Sequence, residues 1–293
     1  LNLRVGANTI HGFLGPNGAG KTTTIKILVG LLKPDEGTVS VFGRGFRGDS
    51  PGVRSIMGYM PELPKFPKYL KGWSLLDIYG KMYGMTKQER KERIPKLLEL
   101  VGLRGRERDL IGKYSKGMQQ RLGIAQALLS EPDLVIMDEP SLGLDPAGMI
   151  EVREMVGEIA KEGVTVFISS HLLSEIEQIC SHVTIIHRGV SLFSGNLQDL
   201  SNNPPRPTRL QVEVVDLSDS VVKAVKKLAF VSGVSQDGDK LVVDTETHDD
   251  VRPQVSQAIT KSGGVIVSMN LKRQSLEEAF MQLVSKPGGG EAE

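Results

Sequence analysis

Nine consecutive residues, Gly15-Pro16-Asn17-Gly18-Ala19-Gly20-Lys21-Thr22-Thr23, have the types and spacing to hold a phosphate chain. Glycines let a loop turn its N–H groups inward as a nest for phosphate oxygens. A helix beginning near Gly20 points its positive end at the same anion. Lys21 reaches the β and γ phosphates, and the Thr22 hydroxyl is a ligand for Mg²⁺. A second chemical element is the pair Asp138-Glu139, which follows the apolar run Leu134-Val135-Ile136-Met137. Acidic residues at the C-terminal end of a buried strand stand where α/β sheets bind ligands. Asp138 is placed to hold Mg²⁺, directly or through water, and Glu139 to take a proton from an attacking water.

These residues need a scaffold that brings strand ends together. Thr9–Leu14 is a short apolar strand ending at the glycine loop, and Leu134–Met137 and Val164–Ser169 are apolar runs of the kind buried on both faces of a sheet. Helical patterns separate them, which predicts a parallel sheet between helices. From about residue 62 to 130 strand runs disappear. Thr86-Lys87-Gln88-Glu89 is a capping box, Ile94, Leu97, Leu98 and Val101 recur at helical spacing, and Gly102 ends that helix. A helical insertion into the α/β core accounts for the segment.

A breaker cluster, Ser201-Asn202-Asn203-Pro204-Pro205-Arg206-Pro207, predicts a linker over 201–208 after a first domain of residues 1–200. Beyond it, residues 209–286 read β-α-β-β-α-β. Arg209–Val215 is a strand and Ser218–Leu228 a helix; Phe230–Gln236 and Lys240–Asp244 form a hairpin about Asp237-Gly238-Asp239. Asp249–Lys261 is a helix, Gly264–Leu271 a strand, and Ser275-Leu276-Glu277-Glu278 caps a last helix to about Val284. That order predicts a small ferredoxin-like α+β domain, followed by a flexible tail over 287–293.

Composition bounds the function classes. The 293 residues are 39% hydrophobic and 24% charged, as in a soluble globular protein, and the net charge of +1 gives no support to a nucleic-acid or anionic-lipid partner. The basic clusters Lys87–Arg93 and Arg104–Arg108 are interrupted by Glu and read as solvated surface. The single cysteine, Cys180, lies in an apolar stretch and reads as a buried structural thiol, in keeping with a reducing cytosol. No apolar run approaches the roughly 20 residues of a membrane span, and no signal peptide is recognisable. The chain opens at Leu1, without Met, on a strand-like segment, which points to a truncated N terminus.

The run Tyr114-Ser115-Lys116-Gly117-Met118-Gln119-Gln120-Arg121 by itself is only a Ser-capped helix start. Its position just upstream of the acidic strand resembles the ATP-binding-cassette (ABC) family of ATPases, whose signature motif reads Leu-Ser-Gly-Gly-Gln. The chain keeps Ser115 and Gly117 and departs at Tyr114, Lys116 and Met118, in the form of the subgroup that drives multidrug and other ABC-2-type exporters. Ser141-Leu142-Gly143-Leu144-Asp145 resembles the D-loop of the family, His171 its switch histidine, and Gly58-Tyr59-Met60-Pro61-Glu62 its Q-loop with Glu62 in place of the usual Gln. The resemblance covers residues 1 to about 200 with six motifs in order. It implies a P-loop NTPase cassette, with parallel-sheet core and helical subdomain, that hydrolyses ATP with Mg²⁺.

The family likeness also assigns roles. Glu139, His171 and Lys21 are catalytic, and the glycine loop with Ser115 and Gly117 binds nucleotide. Thr22, Asp138 and Glu62 are the metal-side ligands, and the added charge of Glu62 raises metal dependence. Two subunits would sandwich ATP, the glycine loop of one facing the signature motif of the other. A separate transmembrane permease would dock on the helical insertion, where Phe66, Tyr69 or Trp73 meet it. That places the chain on the cytoplasmic face of the cell membrane, coupling dimer closure to export. The aromatic that stacks on adenine in the family would precede Leu1. The alternatives are a soluble cassette ATPase acting on nucleic acid or ribosomes, which usually carries coiled coils or two cassettes, and a nucleotide-binding regulatory module without turnover.

Overall fold

The computed structural model describes residues 1–46, 51–202, 209–215, 217–238, 240–247, 249–272, 276, 280 and 281. The chain divides into two compact units, Leu1–Leu197 and Gln198–Glu293. The division falls at the first residue of the helix Leu197–Asn202, so Ser201 and Asn202 of the expected linker are helical and the rest of that linker lies outside the described residues. The expected 287–293 tail lies outside them too, as does most of the last helix.

Among its described residues the first unit holds eight strands, β1 (Ile10–Leu14), β2 (Val39–Val41), β3 (Arg44–Phe46), β4 (Met57–Met60), β5 (Leu134–Asp138), β6 (Thr165–Ser170), β7 (His182–His187) and β8 (Val190–Asn196). Helices separate them except between β2 and β3 and between β7 and β8. Six of them form one sheet in the order β4-β5-β6-β1-β7-β8; β2 and β3 make a separate hairpin. All neighbours in the large sheet are parallel except β7 and β8. Consecutive parallel strands need a crossover, and the intervening helices supply it. Thus β1 lies next to β6, which puts the end of the glycine-loop strand beside the end of the strand that leads to His171. The strand-like run at the start of the chain is irregular: among the described residues no strand pairs with Leu1–Val5.

The helices are α1 (Lys21–Leu28), α2 (Pro51–Arg54), α3 (Gly72–Met82), α4 (Lys87–Leu100), α5 (Lys116–Ala127), α6 (Pro146–Lys161), α7 (Leu173–Ile179) and α8 (Leu197–Asn202). The helical insertion comprises α3, α4 and α5. In α4 the capping box closes as the sequence predicts: Glu89 N–H donates to Thr86 Oγ1 at 3.2 Å and Thr86 N–H to Glu89 Oε2 at 2.6 Å. Pro95 sits inside this helix. An interior proline costs roughly 3 kcal/mol. Ile94, Leu97 and Leu98, each at most 2% exposed, outweigh it, since burial of such side chains is worth about 1.5–3 kcal/mol each. Beneath the sheet, Phe13, Ile25, Ile136, Phe167 and Ile186 join β1, α1, β5, β6 and β7 in one apolar cluster.

The second unit, considered by itself, contains β9 (Arg209–Val215), α9 (Asp219–Lys226), β10 (Val231–Asp237), β11 (Lys240–Thr245), α10 (Arg252–Lys261) and β12 (Val265–Lys272). Its strand order is β10-β11-β9-β12, with every neighbouring pair antiparallel. Leu210, Val212, Leu241 and Val243 bury one face of the sheet against Val221, Val225, Val255 and Ile259.

A polar seam crosses the first unit. His11 on β1 is 2% exposed, and its Nε2 lies 2.9 Å from Thr184 Oγ1, which in turn meets Ser194 Oγ at 2.8 Å. The His11 ring stacks on Phe167 and on His182, with centroids 5.8 Å and 6.5 Å away. Burial, reinforced by His182, pushes the imidazole pKa down to about 4. The folded chain therefore keeps His11 neutral where the unfolded chain, near 6.5, takes up a proton. Stability is full above pH 6.5 and declines as pH falls from 6.5 towards 4. The loss is expected to be of the order of 3 kcal/mol. Urea unfolding across that interval checks it: His11→Gln, which can still bond Thr184, should flatten the slope, and an unaltered slope would assign the acid sensitivity elsewhere.

Candidate functional site

The glycine loop leaves β1 at Leu14 and enters α1 at Lys21. Gly20, at φ 106°, is in a backbone region that only glycine enters without strain, and it has no side chain to cap the helix. The first-turn amides of α1 thus keep no acceptor of their own, which suits an anion. Inside the curve of the loop lies the Lys21 ammonium, 6% exposed, donating to Gly15 O at 2.7 Å and Pro16 O at 3.4 Å.

Lys21 Nζ is also 3.2 Å from Glu139 Oε1, and the other oxygen, Oε2, is 2.8 Å from His171 Nδ1. The Glu139 carboxylate thereby joins three segments that are far apart in sequence. Its backbone sits at φ 49°, an uncommon conformation for a residue with a side chain. Strain of that kind persists only where neighbours enforce it. The enforcing neighbour is Ser169, at the end of β6 and fully buried: its Oγ accepts from Glu139 N–H at 2.9 Å and donates to Asp138 Oδ1 at 2.6 Å. One hydroxyl thus orients both acidic residues. The sequence signal for it is a pair of serines closing the apolar run Val166-Phe167-Ile168, since a buried hydroxyl needs partners.

Pro16, Asn17, Gly18, Gly20, Lys21, Thr22, Thr23, Glu62, Glu139 and His171 line one concavity of about 450 Å³, joined by Leu142 of the run that resembles the D-loop, which was not among the residues expected to bind nucleotide. Gly15 and Ala19 are buried in the loop's underside and shape it without lining it. Asp138 is 1% exposed and lies beneath the concavity, and its Oδ2 is buried without a hydrogen-bond partner. An unpartnered carboxylate oxygen next to a phosphate site fits a hard cation such as Mg²⁺, which takes oxygen ligands and keeps several of its waters. Burial, with Asp138 and Glu62 nearby, pushes the Tyr59 phenol up to about 12, so it stays protonated.

Ser115 and Gly117 are not brought to the glycine loop. They line a second concavity, of about 380 Å³, with Gly143, Leu144 and Asp145. Ser115 caps α5, its Oγ accepting from Met118 N–H at 3.2 Å, and Asp145 caps α6 in the same way through Gly148 N–H at 3.0 Å. The two concavities are separate within one chain. Cys180 is buried and its thiol is pushed up to about 12 by that burial, which makes it inert. Of the aromatics singled out in the insertion, Tyr69 is 77% exposed while Phe66 and Trp73 are half-buried. No helix among the described residues is long and apolar enough to cross a membrane.

With this geometry in place, comparison with known proteins is informative. A family profile described as ABC transporter matches residues 1–142. The bacitracin transport ATP-binding protein BcrA of Bacillus licheniformis is 38% identical over 292 residues, covering 99% of this chain and 92% of that protein. The linearmycin resistance ATP-binding protein LnrL of Bacillus subtilis (strain 168) is 33% identical over 278 residues, covering 94% and 89%. A solved structure described as the ATP binding subunit of an ABC transporter superposes with a TM-score of 0.62 at 34% identity, covering 69% of this chain and 84% of its own.

Ser169 offers a direct test of the geometry. Ser169→Ala strips a buried carboxylate oxygen and a buried amide of their partner, and is expected to destabilise the chain by at least about 2 kcal/mol. Chemical denaturation measures it; a change under about 0.5 kcal/mol, the size of an ordinary surface substitution, would mean that Ser169 does not hold the acidic pair.

Proposed function

The chain belongs to the ABC transporter family, as the ATP-binding and ATP-hydrolysing subunit that works with a separate permease, and from that premise we propose how its residues divide the task. The observation that carries the proposal is the contact of Lys21, Glu139 and His171 in one concavity. An incoming triphosphate displaces Glu139 from the Lys21 ammonium and takes its place, adding the first-turn amides of α1. Freed of Lys21, and still bonded to His171, Glu139 faces a water behind the γ phosphate and accepts its proton. His171 and Lys21 then bear on the charge of the transferring phosphoryl group. Thr22 and Asp138 would hold Mg²⁺, with Glu62 reaching it through water. When bound, the cation neutralises charge on the β and γ oxygens.

The separation of Ser115 and Gly117 from the glycine loop supports a composite site: the signature half-site of one copy closes over the ATP of a second. A homodimer is the simplest assembly. Loss of the γ phosphate removes what both copies grip, so hydrolysis reopens the pair. The same sequence likeness and the absence of nucleic-acid-like charge favour a transporter over a cassette acting on nucleic acid or ribosomes. Its place is then the cytoplasmic face of the membrane, through the permease. The names of the relatives, bacitracin transport and linearmycin resistance, support export as the direction.

The permease would meet the helical insertion. Beside the end of α3 a groove of about 860 Å³ exposes Met82 and Tyr83, 73% and 46% exposed, between Arg54, Arg93 and Glu89. Apolar anchors within a mixed-charge rim suit the end of a cytoplasmic helix. The exposed Tyr69 is a further contact point. For the second unit, the strand order and the two helices over one face support the ferredoxin-like reading. The domain boundaries then fall at about residue 200.

ATP turnover by the full chain, alone and with permease-containing membranes, tests the assignment. Lys21→Ala should bind no nucleotide. Glu139→Gln should bind ATP but lose at least about a hundredfold in rate, the range of general-base catalysis. Tyr83→Asp should lose the response to membranes alone. Undiminished turnover by Glu139→Gln would remove Glu139 as the base.

A further inference from the structure

Lys116 is the first residue of α5 and stands where the signature motif of the family carries glycine. Its side chain is exposed and folds back along the surface. The ammonium lies over Gly143, so that a β-carbon on that residue would come within 2.1 Å of Nζ. Gly143 has φ 69°, so its backbone favours glycine, and without a β-carbon there the Lys116 tip can rest over it. The lysine therefore lines the same concavity as Ser115 and Gly117.

The charges around it are already matched. Arg121 pairs with Glu151 at 3.0 Å, and Asp145 is committed to the N terminus of α6. Lys116 makes no hydrogen bond or ion pair to any described residue. The concavity thus holds one uncompensated ammonium next to the Ser115 hydroxyl. An ammonium on a flexible stem is a compact point charge and a good phosphate ligand, and glycine at the same position has only its backbone N–H to offer.

We infer that Lys116 is a further phosphate-contacting residue: it leaves Gly143 and reaches from one copy to the γ phosphate of the ATP held on the glycine loop of the other. The inference rests on the two-copy reading above. Two lysines, Lys21 from one copy and Lys116 from its partner, would then share one triphosphate. Because the second contact forms only when the copies meet, it adds to pairing and not to ATP binding by the separate chain. It also makes pairing sensitive to salt, as an exposed charge contact is.

The test uses the full chain carrying Glu139→Gln to slow hydrolysis, with ATP and Mg²⁺, and follows pairing by sedimentation at low and high salt. Adding Lys116→Met should weaken ATP-driven pairing by at least about tenfold and flatten its salt dependence, as expected for loss of a charge-assisted bond. Lys116→Arg should restore most of both. ATP affinity of the unpaired chain, which also reports that the variant is folded, should be unchanged. Equal pairing and equal salt dependence in the Lys116→Met chain would overturn the role of Lys116 while leaving the two-copy site standing. A parent chain that never pairs with ATP would overturn the two-copy site, and this inference with it.

Discussion

A lysine ammonium that is almost fully buried is held best with an anion beside it, and in this chain the anion is the carboxylate of the residue assigned as the base. Taking both charges out of water costs several kcal/mol, and their attraction offsets that cost only with good geometry and further hydrogen bonds. The further bonds are present: Gly15 and Pro16 carbonyls on the Lys21 side, His171 on the Glu139 side. On the proposed function, a triphosphate brings more negative charge to the same ammonium than Glu139 does, so nucleotide binding and release of the base would be one event.

The fold exists around that exchange. Parallel order β5-β6-β1 sets the ends of three strands side by side, and each end contributes one group: Glu139, His171 and the glycine loop. The contact needs accuracy that strand ends alone do not supply. Ser169 provides it by fixing Asp138 and Glu139 at once, and it allows Glu139 to hold its uncommon backbone conformation. Further along the same segment, residues 143–145 line the concavity of Ser115 and Gly117, so one continuous stretch links the two concavities of a chain.

Much of this was legible in the residues themselves. The glycine loop, the Asp138-Glu139 pair, the capping box of α4 and the hairpin about Gly238 rest on local chemistry, and local chemistry reads directly from sequence. The helix through Pro95 follows from its apolar spacing, because burial outweighs the proline. What escaped reading depends on contacts between distant segments. Ser169 matters only because β6 lies beside β5. Leu142 lines the site only because its turn folds back over the concavity. β7 and the edge strand β8 carry polar residues such as His182 and Ser194, which meet His11 and Thr184 on neighbouring strands. The strand-like run at Leu1–Val5 stays irregular because a strand needs a neighbour as well as a pattern.

The affinity of the full chain for ATP with Mg²⁺, measured by calorimetry beside that of Glu139→Gln, tests the exchange most directly. Glutamine keeps the size and a hydrogen bond to His171 but surrenders the charge that competes for Lys21. Several-fold tighter binding by Glu139→Gln is the expected result, since a lost unit of buried charge competition is worth about 1 kcal/mol or more. Weaker or unchanged binding would contradict it, and would mean that the triphosphate does not take the place of Glu139 on Lys21.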